Sequence, residues 1–209
     1  MAERRPIATR NTHWARSLAQ AVARAGISAN AVSMIGVLFS AVAGAAFLLS
    51  RGPQWRAWLV VAAAGIQLRL TCNMIDGMVA VEHGRATPTG ALYNDVPDRI
   101  ADTAILVTAG YAAGQGDLGW ACAIVAMLTA YVRALGGALG TPQFFFGPQS
   151  KSQRMAVLTV AAVVSALLPG QEWAARLVTF ALLVVLAGSI VTVIRRLRRI
   201  ARELNARGS

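Results

Sequence analysis

Six long apolar runs divide this chain, and they constrain its fold more than any other feature. They cover residues 31–50, 58–78, 91–113, 119–139, 155–168 and 174–194, of which the fifth is short. Because a helix rises about 1.5 Å per residue, roughly 17 to 25 apolar residues cross a hydrocarbon core of about 30 Å. Only 14% of the residues are charged and 56% are hydrophobic, which is unusual for a soluble domain. We therefore predict an all-α integral membrane bundle of six transmembrane helices.

A shorter amphipathic segment precedes the first run. In residues 11–25, Trp14, Leu18, Val22 and Ala25 recur at helical spacing, while arginine and glutamine occupy the other face. This pattern predicts a helix that lies on the membrane surface. We expect three parts along the chain: a basic N-terminal segment with this interfacial helix (1–30), a six-helix transmembrane domain (31–194) and a basic cytoplasmic tail (195–209).

The positive charge is distributed unevenly along the chain. The formal net charge is +11, a value that also occurs in nucleic-acid-binding proteins. With a cytoplasmic N-terminus, however, fourteen Lys and Arg residues fall in cytoplasmic segments and three fall outside. Cytoplasmic loops of membrane proteins carry such an excess. The distribution predicts a multi-pass protein of the inner (cytoplasmic) membrane with both termini in the cytoplasm, a tail that contacts anionic lipid, and no nucleic-acid partner.

Several charged residues lie inside the apolar runs, where each costs at least about 2.5 to 3.5 kcal/mol at mid-bilayer and commonly marks a functional site. Asn73 and Asp76 share one face of the second predicted helix, and Asn94 and Asp98 share one face of the third. The turn between the two helices is short, so we expect them to be antiparallel neighbours whose polar faces meet. Apart from Arg176 at the start of the sixth run, the charged residues within runs are Arg69, Asp76, Asp95, Asp98, Arg99, Asp102 and Arg133.

A cluster of carboxylate and amide oxygens without histidine or cysteine is typical of a site for magnesium or manganese. A diphosphate could complete the coordination of such a cation. Two other interpretations remain open on spacing alone. Arg69, Arg99 and Arg133 could neutralise the acids in a buried polar network, or the acids could form a proton or ion pathway. The acids cluster at one end of two helices without an inverted repeat, which disfavours transport.

The segment from Asn73 to Asp98 resembles the signature of the CDP-alcohol phosphotransferases (CDP-alcohol phosphatidyltransferases). That signature reads D-x-x-D-G-x-x-A-R, eight residues, then G-x-x-x-D-x-x-x-D. Every spacing matches, and five of the eight named positions are identical: Asp76, Gly77, Ala80, Gly90 and Asp98. Residues 27–33, which read ISANAVS, resemble the I-T-P-N-x-x-T segment that leads into the first span of that family. Six spans after a surface helix is also the family's usual layout.

This resemblance implies an enzyme of phospholipid biosynthesis. Such an enzyme transfers a phosphatidyl or similar phosphoalcohol group from a CDP-alcohol, such as CDP-diacylglycerol, to a small hydroxyl acceptor and releases CMP. In that family the acids bind two divalent metals, Mg²⁺ or Mn²⁺, and the last acid is the general base. Carried over by position, Asp76 and Asp98 are metal ligands and Asp98 is the base. The implied CDP pocket comprises Asn73, Asp76, Gly77, Ala80, Gly90 and Asn94, and the resemblance also suggests a homodimer.

Three positions depart from the signature, because Asn73 and Asn94 replace acids and Val81 replaces the arginine. An asparagine keeps a carbonyl oxygen that can bind a hard cation but lacks the negative charge, so metal affinity should fall. Arg85 or Arg69 could compensate for the missing arginine.

Asp95 is the favoured substitute metal ligand, and Asp102 is a second candidate. An ion pair with Arg99, four residues further on, is the alternative role of Asp95. If Asp95 faces Asp76, we expect an enzyme, and if it faces lipid or Arg99 alone, an inactive protein gains support.

Three basic residues are candidates for binding the acceptor. Arg133 lies deep in the fourth run, and Lys151 and Arg154 begin the fifth helix, regions where family members often place phosphate-binding cations. Together they could hold a phosphorylated acceptor. The acceptor itself stays open, because family members that use glycerol phosphate, inositol phosphate or serine share this scaffold. Two alternatives to the transferase remain: a family member that has lost catalysis and serves as a CDP-lipid-binding or complex subunit, and an ion-coupled transporter.

Overall fold

The computed structural model describes residues 12–82 and 89–208, and all regular secondary structure in them is α-helical. The predicted roles of residues 1–11 and of Arg85 lie outside the described residues, as does most of the predicted turn between the second and third runs. The helices are α1 (His13–Arg24), α2 (Ala29–Leu49), α3 (Trp55–Glu82), α4 (Gly90–Ala112), α5 (Gly116–Ala138), α6 (Lys151–Leu167) and α7 (Gln171–Gly208).

Local sequence signals explain where two helices begin. The Ser28 hydroxyl accepts a hydrogen bond from the Ala31 N–H at 3.2 Å and so caps α2. At the start of α6, Ser150 and Gln153 form a reciprocal capping box. The six predicted runs correspond to α2–α7, but α7 does not end with its apolar run and continues as one helix through the basic tail.

Helices α2–α7 form a closed ring. Going around it, α2 packs against α3, α3 against α6, α6 against α7, α7 against α5, α5 against α4, and α4 against α2. Consecutive helices alternate in direction, so the start of α2, the end of α3 and the start of α4 share one end of the ring. The expectation that α3 and α4 are close neighbours is wrong for most of their length, because both pack mainly against α2.

The apolar core fills the middle of this ring. It draws fully buried side chains from every ring helix, among them Phe47, Ile66, Leu106, Cys122, Leu158 and Leu182. Many other large apolar side chains face outward on the same helices. An apolar exterior around an apolar core is what a bilayer-embedded bundle requires.

Within the described residues, four helices are long and apolar enough to cross a membrane, namely α2, α3, α5 and α7. The two others explain the difference from the six expected spans. Helix α4 carries four charged residues within its 23, and α6 has 17 residues. At about 1.5 Å per residue, α6 is roughly 25 Å long.

Helix α1 packs against α3 through a stripe of small residues. Ala15, Ala19 and Ala23 are the buried side chains of this helix. Trp14 and Leu18, which the sequence pattern places on the apolar face, are half exposed instead. The helix therefore attaches to the bundle by its alanines and presents its bulky apolar side chains outward.

Candidate active site

Polar and charged side chains from all six ring helices converge at the end of the ring where α3 finishes and α4 and α6 begin. They surround a cavity of about 160 Å³ and a smaller neighbouring one of about 10 Å³. Asn73, Asn94 and Asp98 line both. The larger cavity is otherwise lined mainly by α4, α5, α6 and α7, and the smaller one by α2, α3 and α4.

Asp76 occupies the smaller cavity and is 2% exposed. Its Oδ2 accepts a hydrogen bond from the Ser33 hydroxyl of α2 at 2.6 Å. Its Oδ1 accepts one from the Asn94 amide of α4 at 3.4 Å. No cationic side chain in residues 12–82 or 89–208 forms an ion pair with Asp76. A buried carboxylate that lacks a cationic partner is costly, so this position favours an added cation.

Asp98 differs from Asp76 because protein cations already surround it. The ammonium of Lys151 is in direct contact with Oδ2, and the Arg69 guanidinium lies 3.4 Å from Oδ1. The Asn73 amide donates to both carboxylate oxygens at 3.1 Å. Both oxygens of Asp98 are therefore engaged by side chains of α3 and α6.

The two asparagines that depart from the signature each face one of the two remaining acids. Asn73 donates to Asp98, and Asn94 donates to Asp76. Carboxylates at these positions would place like charges at hydrogen-bond distance, which a bound cation would have to neutralise. The amides convert these contacts into hydrogen bonds that form without a metal.

Asp102 belongs to a buried ion network behind the cavities. Its Oδ1 lies 2.5 Å from Arg69, and its Oδ2 lies 3.2 Å from Arg154. Arg154 also donates to the Gln149 carbonyl at 2.8 Å and to the Thr129 hydroxyl at 3.3 Å. The polar network that the spacing left open is thus present around Asp102, and it joins α3, α4 and α6.

Asp95 pairs with arginines on the side of the larger cavity. Its Oδ1 lies 2.9 Å from Arg133 and 3.6 Å from Arg99. Asp95 lines the larger cavity and Asp76 the smaller one. Asp95 was expected to face either Asp76 or else lipid or Arg99 alone. Neither orientation is found, because Asp95 faces Arg133 as well as Arg99. The pair with Arg99 that was the alternative role of Asp95 is present.

The three candidate acceptor-binding residues all line the larger cavity. Arg133 reaches it from α5, with its guanidinium 5.2 Å from the Phe145 ring. Lys151 and Arg154 reach it from the first turn of α6. These three residues are far apart in sequence, and together they make one wall of the larger cavity strongly basic.

Sequence reasoning missed Ser33 and Arg196. Ser33 is the last residue of the ISANAVS segment, whose resemblance to the family segment is a signal that could have identified it. Arg196 was expected in a lipid-contacting tail. Instead it is buried, lines the larger cavity, and donates to the carbonyls of Thr129 at 2.7 Å and Phe146 at 3.0 Å. No local pattern distinguishes Arg196 from the other tail arginines.

Three further positions of the implied CDP pocket lie beside the undescribed turn. Gly77 and Ala80 are near the end of α3, and Gly90 begins α4. All three are half-buried, and none lines either of the two cavities described above. The role of these residues in CDP binding stays a prediction.

The oxygen atoms around Asp76 could hold a hard cation. In the described part of the chain, no three His, Cys, Asp or Glu side chains group closely enough to hold a metal ion. Asp76, Asn94, Asn73 and Asp98 nevertheless supply carboxylate and amide oxygens within one region, and such oxygens are the ligands that Mg²⁺ and Mn²⁺ prefer. The buried, cation-free Asp76 is the observation that supports this fit.

Comparison with characterised proteins yields two relatives of the same name. A phosphatidylinositol phosphate synthase of Streptomyces avermitilis is 31% identical over 193 residues, which cover 86% of this chain and 75% of that protein. A phosphatidylinositol phosphate synthase of Cutibacterium acnes is 28% identical over 203 residues, which cover 90% of this chain and 94% of that protein. No family model matches the chain.

Solved structures share the fold. The phosphatidylinositol phosphate synthase of Mycobacterium tuberculosis, in a crystal structure with CDP-DAG bound, matches with a TM-score of 0.74 and 21% identity over 90% of this chain and 94% of that one. Its complex with manganese and citrate matches with a TM-score of 0.74 over 89% and 88%. Together with the sequence relatives and the matched signature spacing, these similarities show that the chain belongs to the CDP-alcohol phosphatidyltransferase family.

Proposed function

We propose that this protein transfers the phosphatidyl group of CDP-diacylglycerol to a small, phosphorylated alcohol and releases CMP. The observation that carries the proposal is the arrangement of the two cavities around Asp98. Asp98 lines both of them, with the cation-free Asp76 on one side and the basic wall on the other. A carboxylate between a diphosphate site and an acceptor site is where a general base for this reaction belongs.

The reaction follows from this placement. The acceptor hydroxyl oxygen attacks the phosphorus that carries the diacylglycerol, forming a new P–O bond, while the anhydride P–O bond to CMP breaks. Asp98 takes the hydroxyl proton. A bound divalent cation, Mg²⁺ or Mn²⁺, would neutralise the charge of the diphosphate. Asp76, with Asn73 and Asn94, would hold that cation. Lys151 contacts Asp98 and orients this carboxylate before the acceptor arrives.

A phosphorylated acceptor fits the larger cavity better than a neutral one. The cavity wall includes Arg133, Lys151, Arg154 and also Arg196. Guanidinium groups bind phosphate with paired, charge-assisted hydrogen bonds. Because both sequence relatives are phosphatidylinositol phosphate synthases, inositol phosphate is the first acceptor to test.

The membrane arrangement completes the proposal. Helices α4 and α6 join the four apolar helices as spans, because each is a full member of the closed ring. The charged residues of α4 face the cavities and ion network rather than lipid. Helix α1 lies at the membrane surface, both termini are cytoplasmic, and the site opens to the cytoplasmic leaflet. From the family resemblance we also propose a homodimer in the inner membrane.

CMP release provides the direct test. Purified protein is incubated with CDP-diacylglycerol and Mg²⁺ or Mn²⁺, and acceptors are added in matched pairs such as inositol phosphate and inositol, or glycerol phosphate and glycerol. We expect CMP and a new phospholipid, identified by mass spectrometry, only with a phosphorylated acceptor. Absence of CMP with every acceptor, in an assay where a related synthase works, would contradict the proposal.

A second candidate function is binding of a CDP-lipid without catalysis, and a separate observation favours it. Asn73 and Asn94 remove two carboxylates, and protein cations already surround Asp98, as expected for a member that binds CDP-lipid without turnover. CDP-diacylglycerol binding without CMP release would favour it. A double variant, Asn73→Asp with Asn94→Asp, separates the cases further, because it should not restore activity to a protein that serves only as a binding subunit.

A further inference from the structure

We infer that this site takes one divalent cation per chain, bound at Asp76, and that the ammonium of Lys151 stands at Asp98 where the four-acid signature would place a second. This inference rests on the proposed function, since the same residues would serve the transfer. It concerns this chain in particular, because the two asparagines and the Lys151 contact are what set the number of cations.

The two acids have different surroundings. Asp76 is buried and has only the Ser33 hydroxyl and the Asn94 amide as hydrogen-bonding side-chain partners in the described part of the chain. No cationic side chain in the described part of the chain forms an ion pair with it. Asp98 has Lys151 on one oxygen and Arg69 on the other. A second divalent cation at Asp98 would have to displace one of these charges or lie beside it against strong repulsion.

The hydrogen bonds of the two asparagines also bear on the number of cations. Each amide donates to one acid, so no metal is needed to bridge Asn73 to Asp98 or Asn94 to Asp76. With carboxylates at both positions, two pairs of like charges would face each other, and a second cation would be needed to hold them together. Asn94 retains a carbonyl oxygen, which a half-turn of the amide would present to a cation at Asp76.

The total charge of the site also limits the number of cations. Six cationic side chains line the two cavities, against three acids that line them and Asp102 behind. The protein alone therefore carries an excess of about two positive charges. A CDP-lipid diphosphate brings two negative charges, and a phosphomonoester acceptor brings about 1.5 to 2 more. One divalent cation brings the total close to neutral, whereas two leave a surplus. The cations are Arg69, Arg99, Arg133, Lys151, Arg154 and Arg196.

Counting bound Mn²⁺ tests the inference without relying on turnover. The purified full chain in nanodiscs with CDP-diacylglycerol is equilibrated with Mn²⁺, and bound metal is measured by electron paramagnetic resonance and equilibrium dialysis. We expect one Mn²⁺ per chain, and none after Asp76→Asn. The Asn73→Asp, Asn94→Asp double variant should bind two. Asn205→Asp, the same chemical change on the exposed end of α7, is the matched control and should bind one.

Two Mn²⁺ per unmodified chain, no Mn²⁺, or one Mn²⁺ that survives Asp76→Asn would each overturn the inference. The unmodified chain and Asp76→Asn decide it even if the double variant fails to fold. CMP release measured on the same samples separates this inference from the proposed function. One bound Mn²⁺ without CMP supports the count and contradicts the transferase, whereas two bound Mn²⁺ with CMP does the reverse.

Discussion

The guanidinium of Arg69 lies 2.5 Å from Oδ1 of Asp102, and this buried ion pair joins α3 to α4. Apart from this pair and the polar contacts that Asp76 and Asp98 make across the site, the two helices make little contact, since both pack mainly against α2. Arg154 pairs with the other oxygen of Asp102 and extends the link to α6. One carboxylate therefore connects three helices that all contribute to the cavities, and the network fixes the geometry of the site from behind.

Removing Arg69 should destabilise the protein strongly. Breaking a buried ion pair by deleting one partner typically costs about 3–5 kcal/mol, because the other charge stays buried. For Arg69→Met we expect a clear fall in the thermal unfolding temperature in detergent, measured by intrinsic tryptophan fluorescence. Arg51→Met, at an exposed position after α2, is the control. An unfolding temperature equal to that of the control would mean that the network contributes little.

Asp98→Asn should abolish most of the transfer while leaving the fold intact. The amide is the same size and can accept hydrogen bonds from Lys151, but it cannot take the acceptor proton. Loss of a general base typically lowers the rate by about 10²–10⁴-fold. We expect kcat for CMP release to fall within that range, with Asp117→Asn, exposed at the opposite end of the ring, unchanged. A variant with near-normal kcat would assign the proton transfer elsewhere.

The sequence predicted those features that are encoded locally. Hydropathy located all the ring helices to within a few residues at most ends. The spacing of Asn73, Asp76, Asn94 and Asp98 predicted that these residues share one site, and all four line the smaller cavity. Helical periodicity suffices for both, because it depends only on neighbours along one or two helices.

The rest depends on which helices meet in the ring. The partner of Asp95 could not be read from α4 alone, because its shortest ion pair is to Arg133 on α5. The burial of Arg196 likewise requires α7 to lie against α5 and the loop before α6. The sequence also gives no local indication that α3 and α4 both pack against α2 instead of each other, since a short turn normally makes consecutive helices neighbours.

Asp95→Asn distinguishes an ion-pair role from a metal-ligand role. The amide can still accept a hydrogen bond from Arg133, so the guanidinium stays in place, but the cavity loses a negative charge near the phosphate site. Exposed charge pairs contribute about 0.2–1 kcal/mol. We expect KM for a phosphorylated acceptor to fall by up to about fivefold, with bound Mn²⁺ and KM for CDP-diacylglycerol unchanged. Loss of Mn²⁺ would identify Asp95 as a ligand.

Close packing of α4 on α5 gives a prediction away from the site. A Cβ built on Gly119 would lie 2.9 Å from the Leu106 carbonyl oxygen and 3.0 Å from the Gly110 Cα. These are backbone atoms that cannot move aside, so Gly119→Ala should push the helices apart. Overpacking of this kind costs about 1–3 kcal/mol, which outweighs the gain in helix propensity of about 1 kcal/mol at most sites.

The measurement for Gly119→Ala combines stability with activity. We expect a lower thermal unfolding temperature but an unchanged KM for both substrates at low temperature, since Gly119 lies towards the start of α5 and the cavity residues lie towards its end. Gly170→Ala is the matched control, because its Cβ would meet only Trp173, at 3.9 Å. Equal unfolding temperatures for the two variants would show that the helices can separate at this crossing without cost.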